Sequence, residues 1–209
     1  VVGTELTAAS RREEQWRGVV AAVRDVYSGP LTYAANHGGE ETSLAWWDAL
    51  DAIGVDAYYP LTRSNEPTVA DLKEAWAPIV RRLQSLSMKW RLPIILTEIG
   101  YQSLDGTNTT PWEVVGGSLD LQEQADCYQA FFEAFAGQPW WHGVYWWAWG
   151  INPSQGGPGD SDFTANNKPA AEVLRVAFDE LPPLPTPTPT PRVVPDDAHA
   201  RIIFRDAFS

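Results

Sequence analysis

The sequence predicts an α/β fold, built as the later part of a (β/α)8 TIM barrel. Short strand-like runs alternate with amphipathic helical stretches in the order βαβαβαβαβα, which calls for parallel strands joined by right-handed helical crossovers. An open doubly wound sheet and a closed barrel both satisfy that alternation, and the arithmetic favours the barrel. Five units occupy about 180 residues, and three further units of roughly 100 residues together would reach its usual size. The strands are accordingly read as numbers four to eight.

Each element has its own justification. Val1-Val2-Gly3-Thr4-Glu5 starts without a leader or a turn and reads as a fragment entered mid-strand. Over residues 10–27, Trp16, Val19, Val20, Val23 and Val26 recur at helical spacing, and Gly29-Pro30 stops the helix. Residues 31–35 read as a strand, 43–52 as helical, and 54–59, closed by Pro60, as another strand. A helix over residues 68–90 gathers Leu72, Trp76, Ile79, Val80, Leu83 and Leu86 on one side, and Pro78 should bend or split it. Residues 94–100 are a continuous apolar run, as a parallel strand covered on both faces requires. A Gly- and Thr-rich loop over 102–117 follows, then a helix over 121–135, a strand over 143–149, a loop over 151–167 and a last helix over 168–181.

Residues 1–181 thus form the barrel part. Residues 182–191, PPLPTPTPTP, read as an extended linker of roughly 31 Å at about 3.1 Å per residue. Residues 192–209 are too short for a domain; Ala200-Arg201-Ile202-Ile203-Phe204 suits the first strand of a truncated appended domain, and a disordered tail suits the segment equally well.

Composition narrows the function. A chain 44% hydrophobic and 20% charged is not a disordered one. Twenty-seven acidic against fifteen basic residues give a net charge of −12, which repels nucleic acid and anionic membranes. No apolar run approaches the roughly 20 residues of a membrane-spanning helix, so no membrane partner is expected. Cys127 is the single cysteine, which excludes an intrachain disulfide and a cysteine zinc cluster. Zinc-protease, serine-elbow and phosphate-loop motifs are absent, and neither metal nor cofactor is implied. Glu40-Glu41 and Asp160 with Asp162 read as solvated loop charges rather than a cation site.

Reactive groups of parallel barrels stand at the C-terminal ends of strands. Glu5 and Glu98 both close a strand run, each directly after a threonine, 93 positions apart (98 − 5). Three strands apart on this numbering, they would face one another across the barrel mouth. Two facing carboxylates are the minimal machinery for glycosidic cleavage, at about 5 to 5.5 Å if the reaction is a double displacement. Eleven tryptophans strengthen the reading, because flat aromatics bind the C–H faces of sugars. In residues 143–150 the two-residue period puts Tyr145, Trp147 and Trp149 on one face and Trp146 on the other, so Trp147 or Trp149 suits a sugar platform. Tyr58 and Tyr59 close the sixth strand, where one hydroxyl would donate to Glu98 and hold it ionised. Asn36 and His37 end the fifth, placed to contact sugar hydroxyls or modulate the acid.

Val2-Gly3-Thr4-Glu5-Leu6, residues 53–61 (IGVDAYYPL), Leu96-Thr97-Glu98-Ile99-Gly100-Tyr101 and Gly143-Val144-Tyr145-Trp146-Trp147 together resemble glycoside hydrolase family 113, in order and spacing, over residues 1–181. The resemblance implies the (β/α)8 fold of the retaining clan and endo-β-1,4-mannanase activity. It implies Glu5 as acid/base at the end of strand four, Glu98 as nucleophile at the end of strand seven, Tyr58 or Tyr59 as the nucleophile's tyrosine neighbour, and a tryptophan of 146–149 as the sugar platform. The wider clan commonly carries asparagine before the acid/base, where Thr4 stands here. The expected partner is a β-linked polysaccharide such as mannan or glucomannan. A cellulase-like β-glycanase of the same clan is the nearest alternative, and a non-catalytic polysaccharide-binding module the more distant one. The proline-threonine linker and a polymeric substrate point to an extracellular, secreted protein.

Overall fold

Four short apolar runs condense into one parallel sheet because each is followed by a helix that carries the chain back across it. The computed structural model describes residues 1–113 and 116–180. The strands are β1 (Ala34–Asn36), β2 (Ile53–Asp56), β3 (Ile94–Ile99) and β4 (Trp141–Trp146), parallel and in the order β1-β2-β3-β4. The N-terminal segment adds a fifth pairing in outline. Thr4 bridges Ala34 in parallel, and Val2, Gly3 and Glu5 exchange backbone hydrogen bonds with Thr32 and Ala34 at 2.8 to 2.9 Å. The α/β class and the all-parallel order agree with the sequence expectation. The predicted linker (182–191) and tail (192–209) lie outside the described residues.

The helices are α1 (Glu13–Val26), the one-turn α2 (Glu40–Ser43), α3 (Val69–Trp90), α4 (Leu121–Phe135) and α5 (Pro169–Glu180). The helix expected over 43–52 is instead α2 followed by a 3-10 turn, Trp47–Ala49, whose two neighbouring indoles Trp46 and Trp47 are wholly buried. Trp46 stacks on Trp16 of α1 at 5.1 Å between ring centroids. α3 starts on a reciprocal cap, Thr68 accepting from the Asp71 N–H and Asp71 from the Thr68 N–H. Pro78 does not split it. The cost of the lost hydrogen bond, about 3 kcal/mol, is outweighed by a buried stripe of Leu72, Trp76, Val80, Leu83 and Leu86. Trp76 meets Phe131 and Phe135 of α4 edge-on, and this aromatic layer closes the helix side of the sheet.

All four residues of β2 are buried, as a strand covered on both faces requires. β4 is less protected, and Tyr145 on its inner side is 67% exposed. Trp146 points the other way and stacks on Tyr128 of α4 at 3.8 Å, the alternation read from the sequence.

Candidate active site

β3 carries a local irregularity that decides where Glu98 points. Ile94 and Leu96 face the buried helix layer, and strict alternation would send Glu98 there with them. The pairing with β2 instead runs Val55 to Leu96 and then Asp56 to Glu98, so Thr97 is an extra residue in β3. This bulge turns both Thr97 and Glu98 to the inner side. Tyr58, two residues past β2, donates its hydroxyl to Glu98 Oε2 at 3.0 Å. Burial, then the Glu98 charge, holds the Tyr58 phenol far above its ordinary pKa, so it stays a donor.

Glu5 arrives by another route. Its backbone is left-handed, with φ of 50°, a conformation uncommon for a residue with a Cβ. The flanking hydrogen bonds, Glu5 N–H to Ala34 O at 2.9 Å and Leu6 N–H to the Tyr33 hydroxyl at 2.7 Å, hold it there. The side chain lines the same cleft as Glu98. Partial burial raises the pKa of its carboxyl above the ordinary value, and the charges of Glu98 and Glu40 add to that. One carboxyl of the cleft is therefore biased to keep its proton, and the other accepts a tyrosine hydroxyl, an arrangement that suits acid-assisted bond cleavage.

The cleft, about 490 Å³, is lined by Glu5, Asn36, His37, Tyr58, Glu98, Trp112, Trp147 and Phe163. Six of the eight side chains singled out from the sequence therefore meet in one place. Tyr59 does not join them: alternation after β2 turns it into the core, where its hydroxyl donates to buried Glu41 at 3.3 Å and Arg82 lies over its ring at 5.0 Å. Trp149 also lies elsewhere. β4 ends at Trp146, so the two-residue period does not extend that far, and Trp149 sits in a separate hollow with Val144, Leu174 and Phe178. Trp147 reaches the cleft because its N–H still pairs with Ile99 O at 2.7 Å. Gly100 beside it leaves room for that approach, since a Cβ there would collide with the Trp147 carbonyl oxygen.

Trp112, Phe163 and Asp56 belong to the site and escape sequence reasoning. Trp112, 45% exposed, lies 5.2 Å from the His37 ring and lines the same cleft as Trp147. Burial lowers the His37 pKa, favouring neutral imidazole in this lining. Phe163 is set by a loop stapled through buried Lys168, which donates to Ser103 Oγ and Asp162 O and pairs with Asp160, each at 2.7 Å. Asp160 is thus an ion-pair partner rather than the solvated charge expected. Glu40 and Glu41 likewise are buried rather than solvated, at 5% and 0% exposure. Asp56 is wholly buried at the end of β2 and accepts from Thr97 Oγ1 at 2.7 Å. Burial first, with nearby Glu98, Glu5 and Glu40, pushes its carboxyl up to about 7. As a polar residue closing an apolar run, Asp56 carried the same sequence signal as Glu98.

Residues 1–168 match the family model described as Glycoside Hydrolase Family 113. A solved family 113 β-1,4-mannanase is 29% identical, with a TM-score of 0.75 over 86% of this chain and 55% of its own. The Alicyclobacillus acidocaldarius β-mannanase of that family, solved in complex with ManMIm, is 32% identical, with a TM-score of 0.72 over 85% and 54%. A Ruminococcus gnavus β-glucuronidase, 18% identical with a TM-score of 0.57, shares the fold alone. Comparison with curated proteins gives no match. The chain spans a little over half the length of the mannanases it resembles. With the family model covering its residues from the first strand segment to the start of the last helix, the chain belongs to glycoside hydrolase family 113.

Proposed function

We propose that this chain is the strand-four-to-eight part of a (β/α)8 glycoside hydrolase that cleaves β-1,4-mannan or glucomannan with retention. The observation that carries the reading is one cleft holding Glu5, whose carboxyl pKa is raised, and Glu98, bonded to the Tyr58 hydroxyl, with Trp147 and Trp112 in the same lining. In the first step the Glu98 carboxylate attacks the anomeric carbon, the glycosidic C–O bond breaks, and Glu5 gives its proton to the departing oxygen. In the second, water passes a proton to Glu5 and attacks the same carbon, releasing Glu98. Tyr58 steadies Glu98 through its hydroxyl, and Asn36 and His37, which line the same cleft, would meet sugar hydroxyls. Mannan rather than another β-glycan is supported by the family 113 mannanases, and the proline-threonine stretch of the sequence suits an extracellular setting.

The test is to incubate the full-length protein with mannan, glucomannan and carboxymethyl-cellulose and follow reducing ends and the anomer first released. The β-anomer released from mannan supports the proposal. Release from cellulose alone points to a different β-glycanase, and glycan binding without hydrolysis points to a binding module.

A further inference from the structure

Up to Glu5 the first segment is held by backbone pairing with β1, and the two residues after Glu5 are tied to the cleft through one side chain that the two-carboxylate reaction does not itself use. Gly38 and Gly39, with φ of 83° and 137°, reverse the chain after β1 in conformations that L side chains rarely adopt. That reversal brings Glu40, the first residue of α2, back beneath Asn36. Its Oε2 accepts the Asn36 N–H at 2.8 Å and the Thr7 hydroxyl at 3.2 Å, and its Oε1 accepts the Tyr33 hydroxyl at 2.8 Å. The same Tyr33 hydroxyl accepts the Leu6 N–H at 2.7 Å. Leu6 and Thr7, the two residues after Glu5, thus both reach Glu40, one directly and one through Tyr33. Next door, Glu41 faces the other way, to Gly39 N–H, Tyr59 and Arg82, and serves the core.

We propose that Glu40 is a positioning residue that locks the left-handed Glu5 segment against the end of β1, so that acid/base carboxyl and Asn36 move as one unit. The proposal rests on the assignment of Glu5 as acid/base. Glu40 has a second effect, because its carboxylate is one of the charges that favour the protonated form of Glu5. The groups facing Glu5 from the surrounding elements are Glu98 on β3, Asp56 on β2, Tyr58 after it and Glu40 on α2. Arg82 faces His37 and Glu41 instead.

Two variants of the full-length protein test this, Glu40→Gln and Glu40→Ala, each checked for unchanged thermal unfolding and compared with wild type and Glu5→Ala. On a mannan oligosaccharide, whose leaving oxygen needs a proton, Glu40→Ala is expected to lower kcat by about 10²-fold with KM little changed, the size of effect that a small misplacement produces. On an aryl β-mannoside with a dinitrophenolate leaving group, which departs without a proton, kcat/KM should fall far less, by the share that Asn36 alone contributes. Glu40→Gln keeps the shape, removes the charge, and should move the alkaline limb of the kcat/KM profile to lower pH. Equal losses on both substrates, or a wild-type profile in Glu40→Gln, would overturn the proposal while leaving Glu5 assigned by its own variant. If Glu5→Ala is as active as wild type, the acid/base assignment fails instead. Should Glu40→Ala not fold, Glu40→Gln and Tyr33→Phe, which cuts the link to Leu6, decide the question.

Discussion

Glu98 rises from a strand paired on both edges, with β2 on one side and β4 on the other, whereas Glu5 follows a segment paired with β1 alone among the described residues. The first carboxylate is placed by backbone: ladder, bulge at Thr97, and one tyrosine hydroxyl. The second has one backbone bond to β1, from its N–H to Ala34 O, and is completed by side chains, through Tyr33 and Glu40, in a backbone conformation that a non-glycine residue rarely holds. The group assigned as nucleophile in the proposal is built into the sheet. The group assigned as acid/base in the proposal sits on a tether whose charge adds to burial and Glu98 in raising its carboxyl pKa.

The largest break in this comparison comes from removing the groups themselves in the full-length protein. Glu98→Ala should lower kcat by about 10⁴-fold or more, because on the proposed mechanism it removes the group that bonds to the anomeric carbon. Glu5→Ala should cost about 10² to 10⁴-fold on unactivated substrates. For wild type, the alkaline limb of kcat/KM should lie above the ordinary glutamate value of 4.5, since loss of the Glu5 proton ends the first step.

Asp56, lying between the two regions, gives the next effect, read in stability. Its folded pKa, about 7, exceeds the ordinary value of 3.8. The folded state therefore favours the proton, and the stability linked to this group is full below about pH 4 and lost as pH rises through about 7. At 1.36 kcal/mol per pKa unit that loss is at most about 4 kcal/mol. Asp56→Asn, which keeps an acceptor for Thr97, should flatten the fall in Tm between pH 4 and 8. An unaltered Tm profile would contradict the placement of that carboxyl.

Smaller effects separate neighbours. Tyr58→Phe removes a hydrogen bond to a charged group, worth about 1.5 to 3 kcal/mol, and should lower kcat by about 10 to 100-fold, while Tyr59→Phe should leave kcat unaltered. Trp147→Ala should raise KM by a few-fold, from an aromatic contact worth about 0.5 to 1.5 kcal/mol, and Trp149→Ala should leave it alone. Initial rates against oligosaccharide concentration read both pairs.

Much of this was legible in the sequence for reasons that are local. Strand ends announce themselves where a polar residue closes an apolar run, which located Glu5, Glu98, Asn36 and His37. Helices α3 and α4 follow from the period of their apolar stripes, and that packing carries α3 through Pro78. What escaped depends on contacts distant in sequence. The choice between Tyr58 and Tyr59 is made by where β2 ends and alternation continues. Glu40 looks like a loop charge until the two glycines fold it beneath Asn36, thirty-three positions from its partner Thr7. Trp112 and Phe163 lie on loops with no periodicity, and only the tertiary structure brings them to the cleft.

The most direct test of the assignment of Glu98 and Glu5 is covalent trapping. A 2-deoxy-2-fluoro mannoside with a good leaving group, incubated with the full-length protein, should stall at the glycosyl-enzyme, and peptide mass spectrometry should find one sugar on the peptide containing Glu98. The Glu5→Ala variant should still be labelled, because that leaving group needs no proton. A label on any other residue, or undiminished turnover with no label, would contradict the account.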